Sequence, residues 1–259
     1  MILRRAPLIR RQPGSFWRNH SGFTLVEVAV TLAVLGVIAA AAAAAYLGLF
    51  SASRTKLIAD ASLASMSGAV IAFAKSHHRL PCPEVDGSGV EGLVSGVCPA
   101  GREVGWFPYL SVGLTPPAPQ VRAIYGVYRA TGADLALAEE HGGDLVGAAT
   151  YADGADLVRA LQYAASQPLT NVQIYLTGND ATSGPEDCAS NVVSNPAFVL
   201  LAPGEDRNGD GKAVDGIHST LPGTGHCFAA PNRAVDTNFD DRTLAVSFYT
   251  LMVKLNNEH

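Results

Sequence analysis

From Val28 to Phe50 the chain carries no charged side chain, and Glu27 stands at the head of that apolar run. Before it lie Arg4, Arg5, Arg10, Arg11 and Arg18, with no acidic residue in positions 1–22. Away from water only a helix or a closed barrel satisfies its own backbone, so a run of this kind is expected to be a helix. As a helix, residues 23–50 would extend roughly 42 Å at 1.5 Å per residue, more than a bilayer core of about 30 Å. The segment is therefore expected to anchor the chain, with the arginines retained on the cytoplasmic side. A lone carboxylate within such a segment is costly, which makes Glu27 a functional candidate.

A secretory signal peptide has a different layout, with an apolar run of about 7–15 residues followed by a small-residue cleavage site. Here the run is longer and Gly22 precedes it. Cutting beside Gly22 removes only the basic head and leaves the apolar segment in the mature chain. The plainer alternative is an uncleaved signal anchor.

The stretch Ser21-Gly22-Phe23-Thr24-Leu25-Val26-Glu27 closely resembles the N-terminus of type IV pilins and of the pseudopilins of type II secretion systems. The resemblance implies cleavage by a prepilin peptidase between Gly22 and Phe23, and methylation of the new N-terminal Phe23. It also implies that Glu27 neutralises the N-terminal amine of a neighbouring subunit during assembly. The chain would then divide into a leader (1–22, removed), a transmembrane and assembly helix (23–50), and a periplasmic head (51–259) that includes the second half of the long helix. The implied partners are the prepilin peptidase, other pilins or pseudopilins, an inner-membrane assembly platform, and membrane lipid before assembly. The implied location is the bacterial inner membrane, single-pass, with incorporation into a pilus or pseudopilus filament. Where major pilins carry a proline midway along this helix, the chain has Ala44, a departure that points to a minor pilin or pseudopilin. The function implied is that of a structural subunit. A pilus-tip binding module is the alternative, and a signal-anchored periplasmic enzyme a more distant one.

Charge supports this order of readings. Of 18 basic residues, five lie in the leader, which leaves 13 against 23 acidic ones in the mature chain, a balance of −10. Such a product is poorly suited to neutralising phosphates, and no nucleic-acid partner is expected.

Beyond the anchor, Leu63, Met66, Val70 and Phe73 recur at three- and four-residue steps, and no proline occurs between Ser51 and His78. The helix should therefore continue as an amphipathic stripe facing a core and stop at Arg79-Leu80-Pro81. The head reads as α+β, with an antiparallel sheet and loop-rich, disulfide-bonded regions. Strands are expected at Asn171–Thr177, half-buried by its alternation, at Val121–Ala130, and at the strongly apolar Ala197–Ala202. A helix is expected at Gly154–Gln167. Leu244, Phe248, Leu251 and Leu255 suggest a terminal helix, capped by Asp240 or Asp241.

Cys82, Cys98, Cys188 and Cys227 all follow the anchor, on the side where oxidation is favoured. Three connectivities are open, and Cys82–Cys98 with Cys188–Cys227 is preferred because each bridge closes a Gly-rich loop. A zinc site is disfavoured by the lack of any Cys-x-x-Cys spacing. Arg79-Leu-Pro-Cys-Pro with the downstream Gly105-Trp-Phe-Pro-Tyr also resembles a set of prepilin-type proteins, and that likeness supports the first bridge.

Asp206-Arg-Asn208-Gly-Asp210-Gly211 places oxygen ligands at alternate positions before a glycine, as in the first half of an EF-hand calcium loop. Position twelve is Ile217 rather than Glu, so Asp215 would have to supply a late ligand, or Asp240 and Asp241 reach in. A solvated turn is the plainer account, since Asp, Asn and Gly favour turns without any metal. No phosphate-binding loop is present, because Gly209 precedes Asp210 and Lys212 precedes Ala213. No Gly-x-Ser-x-Gly elbow occurs either. His218 and His226 are expected at the surface, and Glu139-Glu140 at a solvated helix end. No enzymatic activity is expected.

Overall fold

The computed structural model describes residues 24–141, 152–207 and 209–256, and the chain divides into two compact units between Ser53 and Arg54. Helix α1 spans Leu25–His77. In the first unit it begins at Thr24, whose hydroxyl accepts the Glu27 N–H at 3.2 Å and so caps the first turn. Every described side chain from Leu25 to Ala44 is exposed, and this stretch is long and apolar enough to cross a membrane. The only hydroxyl among them, on Thr31, donates to the Glu27 carbonyl at 2.7 Å, so the helix meets its own polar demand.

In the second unit the rest of α1 buries Leu63, Met66, Val70, Phe73 and Ala74, the stripe expected from the spacing. The helix ends where His78 adopts a left-handed backbone (φ 55°) and donates its N–H to the Ala74 carbonyl at 2.9 Å. Burying each large side chain of the stripe contributes about 1.5–3 kcal/mol.

The head is built on a four-stranded antiparallel sheet of β1 (Val104–Trp106), β2 (Ile124–Val127), β6 (Phe198–Ala202) and β8 (Arg242–Val246), in the order β1-β2-β6-β8. The short strands β3 (Arg129–Ala130) and β4 (Ala133–Asp134) form a small hairpin. The strands β5 (Tyr175–Thr177) and β7 (Cys227–Ala229) pair in parallel, an element the sequence did not suggest. Helix α2 (Gly154–Ser166) packs on α3 (Phe248–Asn256), and the Tyr128 ring meets Phe248 edge-on at 5.0 Å.

The expected central strand is β6, and its five residues are all buried because β2 and β8 flank it and both faces are covered. Helix α2 also matches, opened by Asp153 in a reciprocal capping box with Asp156. Three expectations are corrected. Asn171–Thr177 contributes only a three-residue strand, fully buried rather than half-exposed, because its partner β7 is itself interior. The segment 242–246 is a strand, since pairing with β6 supplies its backbone bonds. The terminal helix starts at Phe248, with the Ser247 hydroxyl accepting the Thr250 N–H at 3.2 Å, so neither Asp240 nor Asp241 caps it. Glu139 and Glu140 are exposed but lie outside any helix.

Both preferred disulfides are present. Cys82–Cys98 joins Cα atoms 5.5 Å apart and Cys188–Cys227 Cα atoms 5.6 Å apart. By loop-closure entropy they contribute about 3 and about 4 kcal/mol respectively.

Candidate functional site

The expected processing residues Gly22 and Phe23 lie outside the described residues, as does Asn208. Glu27 is described, in the first turn of α1 and exposed. A carboxylate there faces the positive end of the helix dipole. The spacing Thr24-x-x-Glu27 is that of a capping box, and its Thr24 half is formed, the Thr24 hydroxyl accepting the Glu27 N–H at 3.2 Å. Thr24 is the residue missed at this end, and the Thr-x-x-Glu pattern was the signal for it.

The acidic loop is a second focus. The Asp206 carboxylate folds onto its own loop, accepting the N–H groups of Gly209 at 2.7 Å, Asp210 at 3.1 Å and Gly211 at 2.8 Å. Gly211 takes φ 82°, which side chains rarely tolerate. This is the sharp turn expected at the sixth position of a calcium loop. Asp210 accepts the Lys212 N–H at 2.9 Å.

The carboxylates that converge are Asp215, Asp240 and Asp241, all buried, with oxygens within 4.8 Å of one another. Asp215 accepts the Arg207 N–H at 3.3 Å. Asp240 accepts the Glu205 N–H at 3.1 Å and the Arg207 guanidinium at 2.7 Å, a hydrogen bond that holds Arg207 above its ordinary pKa. Gly204 makes this approach possible, because a Cβ at that position would collide with the Asp240 carboxylate. Asp241 accepts the Gly204 N–H at 3.1 Å, the Asp215 N–H at 3.0 Å and His218 Nδ1 at 2.8 Å.

His218 is wholly buried, which corrects the expectation of a surface histidine. Its Nε2 accepts the Ala229 N–H at 2.9 Å, so the single ring proton must sit on Nδ1 and point at Asp241. The imidazole is thus neutral and links the loop to β7. Buried Val214 and Leu221 bracket it in the sequence and mark a loop folded inwards. His226 does lie nearer the surface, 3.6 Å from Glu103. Its side chain lowers the Glu103 pKa by hydrogen bonding against the opposing effect of burial.

Chemically, three clustered carboxylates offer the oxygen donors that a hard divalent cation takes. Arg207 and the surrounding N–H groups also donate to them from within. The structure therefore brings Asp215 together with Asp240 and Asp241, and leaves Asp206 and Asp210 outside that group.

Residues 17–43 match the family model described as the prokaryotic N-terminal methylation motif. The match covers Ser21–Glu27 and the exposed apolar helix that follows, consistent with a type IV pilin-like protein. No curated protein and no solved structure matches the chain.

Proposed function

From a pilin-like N-terminus as premise, we propose that this protein is a minor pilin or pseudopilin, a structural subunit of a type IV pilus or type II secretion filament and not an enzyme. The observation that carries the proposal is the methylation motif leading into a helix whose only charge near its head is Glu27. A prepilin peptidase removes residues 1–22, and Phe23 becomes a methylated N-terminus. The apolar helix holds the subunit in the inner membrane with its head in the periplasm until the assembly platform transfers it to the filament. In that low-dielectric setting an isolated carboxylate is costly, and pairing Glu27 with the Phe23 amine of a neighbour offsets much of the cost while fixing the helix stagger. Both disulfides agree with an oxidising compartment.

Calcium at Asp206, Asn208, Asp210 and Asp215 is a separable part of the proposal. It is supported by the Asp206 carboxylate folded onto its loop and by the left-handed Gly211. Asp240 and Asp241 are the further oxygens within reach of Asp215.

The test is the intact mass of protein purified from membranes of cells with and without a prepilin peptidase. Loss of residues 1–22 and gain of one methyl group, only with the peptidase, is expected. A full-length mass in both would overturn the proposal.

A further inference from the structure

Beside the second half of α1 the head carries an apolar groove of about 540 Å³, which shares no residue with the acidic cluster. Helix α1 contributes residues between positions 58 and 66, Ile58 and Met66 among them, and the loop through Leu114 and Pro117 contributes another side. Val121 and Tyr109 also line it. The volume lies within the range of about 300–1,000 Å³ common for small-molecule sites. Ile58 is 70 % exposed and Val121 54 %, whereas Met66 and Tyr109 are buried. The groove thus has an open apolar mouth and a closed apolar floor.

Its walls are held independently of any occupant. Pro116, Pro117 and Pro119 fix their own φ. The Leu114 N–H donates to the Tyr109 carbonyl at 2.8 Å, and the Val121 N–H to the Ala118 carbonyl at 3.1 Å. The Ala123 N–H donates to the Tyr109 hydroxyl at 3.0 Å and pins that ring. Walls held in this way lose little freedom when the groove is filled.

The lining selects the occupant. Among the described residues no charged side chain lines the groove, and its polar groups besides Tyr109 are the hydroxyls of Ser62, Ser65 and Thr115. A charged ligand would lose water there without gaining a counter-charge. An extended peptide would bring N–H and C=O groups that need partners, and the α1 wall, being helical, has spent its own on itself. An alkyl chain has no polar group to satisfy, and every methylene it places in the groove leaves water.

A source of alkyl chains is close by. The charge-free run ends at Phe50, and Ile58 lies eight positions later. Eight residues span no more than about 29 Å even when fully extended, so a chain anchored by that run keeps the groove within reach of bilayer lipid. Between the two stand Arg54 and Lys56, residue types that pair readily with phosphate oxygens. The acidic residue that follows, Asp60, is engaged by Arg242 at 3.3 Å. An anionic phosphate next to an alkyl chain is the chemistry of a membrane phospholipid.

We propose that this groove takes an acyl chain of a membrane phospholipid whose phosphate lies at Arg54 and Lys56, and that this holds the head against the bilayer before assembly. The inference rests on membrane anchoring but on neither cleavage at Gly22 nor pairing of Glu27. An unprocessed chain that still takes a lipid would therefore separate it from the filament reading.

The test reconstitutes the full-length protein in vesicles of phosphatidylethanolamine and phosphatidylglycerol that contain a phospholipid with a photoreactive group on its acyl chain. After irradiation, adducts are mapped by peptide mass spectrometry. Adducts are expected on peptides 58–66 and 114–117 as well as on the apolar helix, whose labelling reports insertion. Ser62→Trp fills the groove from an exposed helix position, and Leu114→Asp charges it. Each variant should lower groove labelling about tenfold or more, with labelling of the apolar helix and the melting temperature unchanged. Adducts confined to the apolar helix would overturn the proposal, as would groove labelling that neither variant reduces. No labelling at either place would overturn the anchoring reading with it. A benzophenone side chain introduced at position 62 supplies the last arm: capture of lipid is expected, and capture only of a second copy of the chain would overturn the assignment.

Discussion

The two ends of α1 are alike in composition and opposite in fate. Leu25–Ala44 and Leu57–His77 are both long and apolar enough to cross a membrane. The first has no buried residue in the described chain, whereas the second buries Leu63, Met66, Val70, Phe73 and Ala74 in the head. The difference lies in arrangement. The first stretch is apolar all round, so any face suits lipid or another helix. The second interleaves its apolar stripe with Ser62, Ser65, Lys75 and Ser76, so a single face meets the core. Average apolarity therefore does not separate an anchor from a core helix, and periodicity does.

That contrast is open to direct attack. Glu27→Ala has the largest expected effect: the variant inserts in the membrane but is lost from assembled filaments, as read by co-purification. Normal incorporation would show that the charge at the head of the apolar end has no assembly role. Next comes a pair of truncations at the two ends. Leu63→Ala should destabilise the head by about 2–5 kcal/mol in denaturant unfolding, whereas Leu35→Ala should leave head stability unchanged. Equal losses would mean that the apolar end is folded into the same cooperative core.

Asp241→Asn should cost about 1–3 kcal/mol, because His218 and two backbone N–H groups lose a charged acceptor. A melting temperature equal to the parent's would remove the cluster from the account of head stability.

Acid sharpens the same contrast. Donors to Asp180, Asp187 and Asp236 hold these carboxyls below their ordinary values. For Asp156, burial would raise the value, but the N–H groups of Asp153 and His141 and the charge of Arg159 bring it below. A depressed folded value means stability that is present above the unfolded value of about 3.9 and lost as pH falls through the folded one. Head unfolding on acidification should therefore begin below about pH 4, while the helical signal of the apolar end persists in membranes. Onset near pH 6 would shift the cause to a histidine.

The smallest effect expected is that of calcium. Millimolar calcium should raise the melting temperature of the head by a few degrees over a chelated sample, by mass action on the folded state. An identical melting temperature would leave Arg207 as the counter-charge of the cluster among the described residues.

Much of the frame was legible in the residues. Pro81 and the stripe from Leu63 to Phe73 set the end and the buried face of α1, and the apolar run at Ala197–Ala202 marked the central strand. Asp240 and Asp241 were misplaced because Leu244, Phe248 and Leu251 happen to fit a helical step, while pairing with β6 makes 242–246 a strand. His218 was misread because a histidine in a Gly-rich loop gives no local sign of its partners. Its acceptor, Asp241, is 23 positions away, and its donor, Ala229, belongs to a strand that forms only in parallel pairing with β5.

By itself, the sequence determined the apolar run that opens α1, the motif around Gly22, Phe23 and Glu27, and the length of the long helix. These follow from patterns within a few turns of chain, where hydrophobicity, capping and proline sterics act locally. Only the tertiary structure decided the parallel β5–β7 pair and the convergence of Asp215 with Asp240 and Asp241. Each of these depends on groups far apart in the chain, brought together by closing loops whose entropic cost only the shared core can offset.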